Sequence, residues 1–257
     1  MYLRHKQIKK FTMSFSPISV LKKKLATFFF PHIRRSYSQS GEDIIITNLF
    51  ARLGIETPTY LDIGANEPVA ISNTYRLYSR GSKGVCVEPN TALYNKLKRK
   101  RKKDTCINAG VAFDEKKEAN FYIFPKKVHG LNTFSKDEAD FWEQTGNTEI
   151  GRHKVQQIVK IPLVSINELM EKHFSPHPNF ISIDVEGLDL QILKSMDFEK
   201  YKPETFCVET LMYGVNNRES KNKELISFLE SKGYFVYADT YINTIFCRKD
   251  AYKNISG

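Results

Sequence analysis

The sequence predicts a doubly wound α/β domain. Its sheet has seven strands, mostly parallel, with an antiparallel C-terminal hairpin and an inserted β/α region over the site. Three observations carry this. From Tyr37 onward, short apolar runs alternate with amphipathic stretches, the rhythm of repeated βα units. Nearly every apolar run ends in an acid: Asp62, Glu88, Asp184, Glu209. The last stretch, YFVYADTYINTIFCRKD, reads as two strands around a short turn.

The elements follow in order. SGEDIIITNLFARLG (Ser40–Gly54) opens as a Ser-x-Glu-Asp helix start and stops at a glycine suited to a C-cap. TYLDI (Thr59–Ile63) is the first buried strand, SNTYRLYSRG (Ser72–Gly81) a helix, GVCVEP (Gly84–Pro89) the second strand. TALYNKLKRKRKK is a helix with Leu93 and Leu97 on one face, and DTCINAGVAF holds the third strand. From Ala119 to about residue 162 the rhythm breaks: two strand-like runs flank the helix-like SKDEADFWEQTG, an insertion. The units then resume with SINELMEKHF, FISIDVEG, LDLQILKSM, TFCVET and the helix ESKNKELISFLESKG. The expected organisation is a basic leader over residues 1–35 and one domain over 36–257.

Charge separates the two parts. Residues 1–35 hold nine Lys/Arg and no acid, while residues 36–257 hold 30 Lys/Arg against 29 acids. The leader mixes bulky apolar and basic residues, so peripheral contact with an anionic membrane is one reading. A linker or a docked helix is another. The internal run KLKRKRKK (Lys96–Lys103) reads as a solvated helix face. Four cysteines, Cys86, Cys106, Cys207 and Cys247, lack CxxC spacing and sit in apolar runs, as buried free thiols of a reducing compartment. With no secretory signal and no apolar stretch of about 18 residues, the expected location is the cytoplasm, at the inner membrane surface if the leader binds lipid.

In an open parallel sheet, ligands sit off the carboxyl ends of the strands. After the first strand come Asp62, Gly64, Ala65, Asn66 and Glu67. A dinucleotide loop would need GxGxxG at a helix start to cradle a diphosphate. Here one glycine is flanked by carboxylates, which repel a diphosphate and favour a cationic ligand such as S-adenosylmethionine. Glu88 ends the next strand, where an acid accepts both hydroxyls of a ribose.

YSQSGED (Tyr37–Asp43), DIGANEPV, SNTYRLY, GVCVEPN, AGVAF, FISIDVEGLDLQIL and FCVET, in this order, resemble the FkbM family of S-adenosylmethionine-dependent methyltransferases over roughly residues 36–248. The resemblance implies a class I methyltransferase, Rossmann-like fold. It implies that Asp62, Gly64 and Asn66, with Ala65, hold the methionine part of the cofactor. Glu88 would hold the ribose, with Pro89 and Asn90 near the adenine. Residues 108–111, Gly110 and Val111 among them, would border the adenine, and Gln39 would fold over the cofactor. Related sequences often carry histidine where this chain has Glu67, which keeps base or metal-ligand character but donates no hydrogen bond when ionised.

Asp184 and Glu186 of IDVEG point to one side of an extended strand end, and Glu209 ends the neighbouring strand. Three readings stay open: a Mg²⁺ or Ca²⁺ site made by Asp184, Glu186 and Glu209; Asp184 as general base; a structural cap by Glu186. Glu67 and His129, the latter in the insertion, are the other candidate bases. The acceptor pocket is expected over Val128–Gly151 and Tyr213–Asn217.

The expected function is O-methylation of a sugar hydroxyl in a surface glycan or glycolipid, which the family resemblance and basic leader both suit. A methyltransferase for a small natural product, a nucleic-acid-directed protein and a non-catalytic cofactor-binding module are the alternatives. No nucleic-acid partner is expected, because the fourth strand ends in IDVEG rather than the Pro-Pro tetrapeptide of amino-methylating enzymes.

Overall fold

The structure, a computed structural model, describes residues 34–146, 151–213 and 219–253. The chain divides into two units, Met1–Arg35 and Ser36–Gly257, and every helix and strand described belongs to the second. The leader up to residue 33, and the acceptor-pocket expectations at 147–150 and 214–217, lie outside the described residues.

The elements are α1 (Glu42–Arg52), β1 (Tyr60–Ile63), α2 (Tyr75–Ser79), β2 (Gly84–Val87), α3 (Thr91–Lys100), β3 (Thr105–Ile107), β4 (Gly110–Ala112) and β5 (Glu118–Ile123). A 3₁₀ turn (Lys126–Leu131), α4 (Lys136–Gln144), β6 (Gln157–Ser165), α5 (Ile166–His173), β7 (Phe180–Ile183) and α6 (Asp189–Ser195) follow. The chain continues with β8 (Thr205–Glu209), β9 (Leu211–Tyr213), β10 (Glu219–Lys221), α7 (Lys223–Ser231), β11 (Tyr234–Asp239), β12 (Asn243–Arg248) and α8 (Lys249–Lys253).

The main sheet has seven strands in the order β11-β12-β8-β7-β1-β2-β3. The five from β8 to β3 are parallel, and β12 enters antiparallel between β8 and β11. This is the class I methyltransferase arrangement. Strand order runs outward from β1 one way and from β7 the other, so the topological switch lies between β1 and β7.

The alternation of each strand sorts its side chains onto two faces. Leu61, Ile63, Val85, Val87, Ile181 and Ile183 pack with Ile166, Leu169, Ile192 and Leu225 of α5, α6 and α7. Tyr60, Cys86, Phe180 and Cys207 pack on the other face with Ile46, Leu49 and Phe50 of α1 and Leu97 of α3. The helices therefore cover both faces and leave the carboxyl edge of the sheet open. Among the described residues, no helix is long and apolar enough to cross a membrane.

Local chemistry corrects several sequence expectations. Ser40 does not cap α1 through its side chain. Gly41, at φ 93°, turns the chain into the helix, and the Glu42 carboxylate accepts from Ser40 N–H at 2.8 Å. DTCINAGVAF is not one strand. The Asn108 side chain donates to the carbonyls of Glu88 and Pro89 at 2.8 and 2.9 Å, ending β3, and β4 joins a second sheet ordered β4-β6-β5. ESKNKELISFLESKG is not wholly helical. Its first residues form β10 against β9, and Asn222 caps α7 at Leu225 N–H, 3.0 Å away. All four cysteines are free thiols, but Cys106 is only half-buried.

Candidate active site

A cavity of about 430 Å³ opens at the carboxyl edge over the switch between β1 and β7. Its floor is Gly64 and Asn66 after β1, Glu88 and Pro89 after β2, and Asp184 after β7. The insertion roofs it with the 3₁₀ turn, including His129, and with Phe134.

Gly64 is required by space and by conformation. Its φ is +78°, and a Cβ there would collide with the Asp184 carbonyl oxygen. Its N–H and that of Ala65 both donate to Val87 O, at 3.0 and 3.1 Å, which binds the loop to β2. Asn66 then takes φ 50°, and its amide oxygen Oδ1 is buried with no partner among the described residues. Gly110 likewise has no room for a side chain, since a Cβ would meet the Phe134 ring and Leu163.

Glu88 is 4% exposed, and its two carboxylate oxygens accept from the backbone N–H groups of Asn66 and Asn90, each at 2.8 Å. Burial pushes its carboxyl up to about 7, against the pull of those two N–H groups and with the push of Asp62 and Asp184. Each oxygen keeps a lone pair, so Glu88 can still accept two hydroxyls.

The candidates Gln39, Gly64, Asn66 and Glu67 all line this cavity, as do Glu88, Pro89, Gly110 and Val111. His129, Asp184, Glu186 and Glu209 line it too. Asp62, Ala65 and Asn90 do not. Asp62 shares the strand face of Tyr60, so its carboxylate turns beneath the loop and accepts from Thr74 Oγ1 at 2.5 Å. Burial raises its carboxyl to about 6 although Thr74 and Arg101 favour the charge. Ala65 packs into the core beside Tyr60 and Leu77. Asn90 spends its side chain capping α3, accepting from Ala92 and Leu93 N–H at 3.0 and 3.3 Å.

Acids crowd the β7–β8 end. Carboxylate oxygens of Asp184, Glu186 and Glu209 lie within 4.8 Å of one another. Asp184 is open to the cavity, yet the protein mass around it pushes its carboxyl up to about 6, with Asp62 adding to the rise. Burial drives Glu186 and Glu209 well above the usual range, and their mutual repulsion with Asp184 adds to it. Glu186 also sits at φ 52°, and its carbonyl accepts from Thr133 Oγ1 at 3.0 Å, tying the insertion to the β7 turn.

Glu67 lines the same cavity. One of its oxygens is ion-paired with Lys96 and stands 3.7 Å from His129 Nε2. Sequence reading missed Lys96 because KLKRKRKK looks uniformly solvated. Arg101 of the same run is a second exception, being only 1% exposed. Ile71 was also missed. It lines the cavity at φ 52°, a strained conformation for a β-branched residue, and no sequence signal marks it.

Two of the solved structures to which the chain has a distant similarity are methyltransferases. The 1,6-didemethyltoxoflavin-N1-methyltransferase of Burkholderia thailandensis, with bound 1,6-didemethyltoxoflavin and S-adenosylhomocysteine, is 8% identical at a TM-score of 0.39, over 93% of this chain and 91% of that one. The magnesium protoporphyrin IX methyltransferase of Synechocystis PCC 6803, with bound SAM, is 8% identical at a TM-score of 0.36, over 93% of this chain and 100% of that one. No curated protein matches the chain. The family model described as the methyltransferase FkbM domain matches residues 62–236, from Asp62 within β1 to the middle of β11, and the chain therefore belongs to the FkbM methyltransferase family.

Proposed function

We propose that this methyltransferase is an O-methyltransferase whose acceptor is a sugar hydroxyl, with Asp184 as the proton acceptor. The coarse activity, S-adenosylmethionine-dependent methyl transfer, follows from the family. The site fits that cofactor on its own terms. Two glycines leave backbone bare at Gly64 and Gly110, the Asn66 amide oxygen is buried without a partner, and Glu88 offers two further acceptor positions. Gly64, Asn66 and Glu88 would hold it, with Pro89, Gly110 and Val111 along the adenosyl side and Gln39 over it. When bound, it supplies a methyl group made electrophilic by a sulfonium.

The observation that carries the hydroxyl reading is the cluster of Asp184, Glu186 and Glu209 at the switch end of the cavity. A polyol donates several O–H hydrogens, and grouped carboxylates accept them. All three line the cavity, but Asp184 is the most exposed and has a carboxyl at about 6, so it is ionised near neutrality and can take a proton as the hydroxyl attacks. Glu186 and Glu209 remain protonated to higher pH and orient neighbouring hydroxyls. Glu67 and His129, 3.7 Å apart in the same cavity, are the competing candidates for the base. Placement of the nucleophile supplies most of the remaining acceleration.

A second reading rests on the same oxygens, which are close enough to share one Mg²⁺ or Ca²⁺ that would hold two hydroxyls of the acceptor. Activity lost in EDTA and restored by Mg²⁺ would support it, and full activity in EDTA leaves Asp184 as the base. The basic leader suits an acidic or membrane-tethered glycan met at the cytoplasmic face. Deleting residues 1–35 should release the protein from anionic liposomes, and unchanged partition would remove that part of the reading. The acceptor itself is tested by mass spectrometry of surface glycans from cells with and without the gene. Loss of one methyl increment from a sugar is expected, and identical spectra would overturn the glycan assignment.

A further inference from the structure

The loop from Gly64 to Thr74 forms the cofactor side of the cavity and is costly to hold. Gly64, Asn66 and Ile71 all take left-handed φ, at 78°, 50° and 52°. For the two that carry side chains, and for the β-branched Ile71 above all, such backbone persists only when the surroundings fix it. The first turn of the loop is fixed from above, by Val87 O and the Glu88 carboxylate. The rest needs other support. Ser72 N–H donates to Tyr37 O at 2.9 Å, Asn73 Nδ2 donates to Ser182 Oγ at 3.2 Å, Lys96 pairs with Glu67, and two further contacts come from one buried guanidinium.

Arg101 caps the end of α3 and turns inward. Its Nε donates to Asp104 at 2.7 Å. Nη1 donates to the Pro68 carbonyl at 3.2 Å, and Nη2 to Thr74 Oγ1 at 2.9 Å and to the Tyr60 hydroxyl at 3.0 Å. The guanidinium lies over the Tyr78 ring, 4.7 Å from its centroid. Thr74 Oγ1 spends its own hydrogen on Asp62. One cation thus grips the loop at two points, Pro68 and Thr74, and reaches through Thr74 to Asp62 of β1. Burying a guanidinium is expensive unless its donors are placed. Here four of its hydrogen bonds are, two of them on the loop. A lysine has no planar fork and could not span Asp104, Pro68 and Thr74 together.

We propose that Arg101, acting through Thr74 and Pro68, is a positioning residue for the cofactor: it holds the loop 64–74 in its binding shape from beneath, as Glu88 does from above. The inference rests on the reading of this cavity as the cofactor site.

The test uses S-adenosylhomocysteine titrated calorimetrically into the full chain, beside thermal melts, for the wild type, Thr74→Val, Thr74→Ser, Tyr60→Phe and Arg101→Lys. Valine fills the space of Thr74 without its hydroxyl, and affinity is expected to fall about ten-fold, the worth of one hydrogen bond to a charged group. Serine restores the hydroxyl, and affinity should return to within about threefold of wild type. Arg101→Lys should lose at least as much as valine. A purely structural role would lower the melting temperatures and leave the affinity of the folded protein unchanged. Folded Thr74→Val binding as tightly as wild type would therefore overturn the proposal. If that variant does not fold, Tyr60→Phe, which removes a hydroxyl that accepts from Arg101 and donates to its partner Asp104, decides in the same way. A wild type that binds no S-adenosylhomocysteine would overturn the cofactor reading itself, a result distinct from any variant's.

Discussion

Glu88 spends one lone pair of each oxygen on a backbone N–H and keeps the others for a ligand. In Glu88→Gln one of those N–H groups would face an amide NH₂, donor against donor. We expect affinity for S-adenosylhomocysteine to fall by about 2–3 kcal/mol, roughly 30- to 150-fold, by calorimetry. Wild-type affinity in that variant would refute the ribose assignment. Gly64→Ala brings a methyl into the Asp184 carbonyl at φ +78°, and we expect at least about 2 kcal/mol of lost stability in chemical denaturation, with cofactor binding abolished. The glycine and the acid could both be read from YLDIGAN and GVCVEPN because strand ends and turn residues are local. The direction of Asp62 was also available, since strand alternation puts it on the face of Tyr60. What could not be read is its environment. Thr74 meets Asp62, and Arg101 meets Thr74, only after two helices have packed, and Arg101 lies in a basic run that looks exposed throughout.

At the scale of elements, the parallel units and the terminal hairpin were legible because each strand is a short apolar run bounded by turn chemistry. The break between β3 and β4 was not. Apolar character continues through INAGVAF, and only the Asn108 side chain bonding back to Glu88 and Pro89 carbonyls ends the first sheet. The strand pair β9–β10 escaped for another reason: LMY runs on from TFCVET with no turn residue between them, and ESK has no apolar residue. The insertion has a small core of its own, Phe124, Leu131, Ala139 and Trp142, separate from the two that sandwich the main sheet. That separation makes it a unit that can loosen alone. We expect Trp142→Ala to cost about 3–5 kcal/mol locally. Amide hydrogen exchange should then quicken over the 3₁₀ turn and α4 while β1, β2 and β7 stay protected. Equal loss of protection in both regions would show one cooperative core instead.

At the scale of the whole molecule, acid is concentrated at one edge of the sheet, and its titration should appear in stability and in binding. Burial is the first cause in each case: it lifts Asp62 and Asp184 to about 6 and Glu88 and Asp189 to about 7. The sign follows from proton counting. Below about pH 3 these groups are almost wholly protonated both folded and unfolded, and they contribute little pH dependence. As pH rises, the unfolded chain ionises first while the folded protein keeps its protons, so stability falls until the folded groups ionise near 6 to 7. Glu42 opposes this trend. Burial would raise it, but hydrogen bonds from Thr240, Ser40 and Asn243 hold it below its usual value, so its contribution is present near neutrality and is lost only in acid. The cofactor-free protein should therefore melt at lower temperature at about pH 8 than at about pH 5.5. A ligand that is cationic at sulfur and nitrogen favours the ionised carboxylates, so its binding should expel protons. Calorimetry of S-adenosylmethionine at pH 6.5, in two buffers of different ionisation enthalpy, should give heats that differ in the sense of net proton release, with affinity rising toward pH 7.5. S-adenosylhomocysteine, neutral at sulfur, should release fewer protons. Equal heats in both buffers would mean that the cavity acids are already ionised without ligand, and the electrostatic account of this site would have to be abandoned.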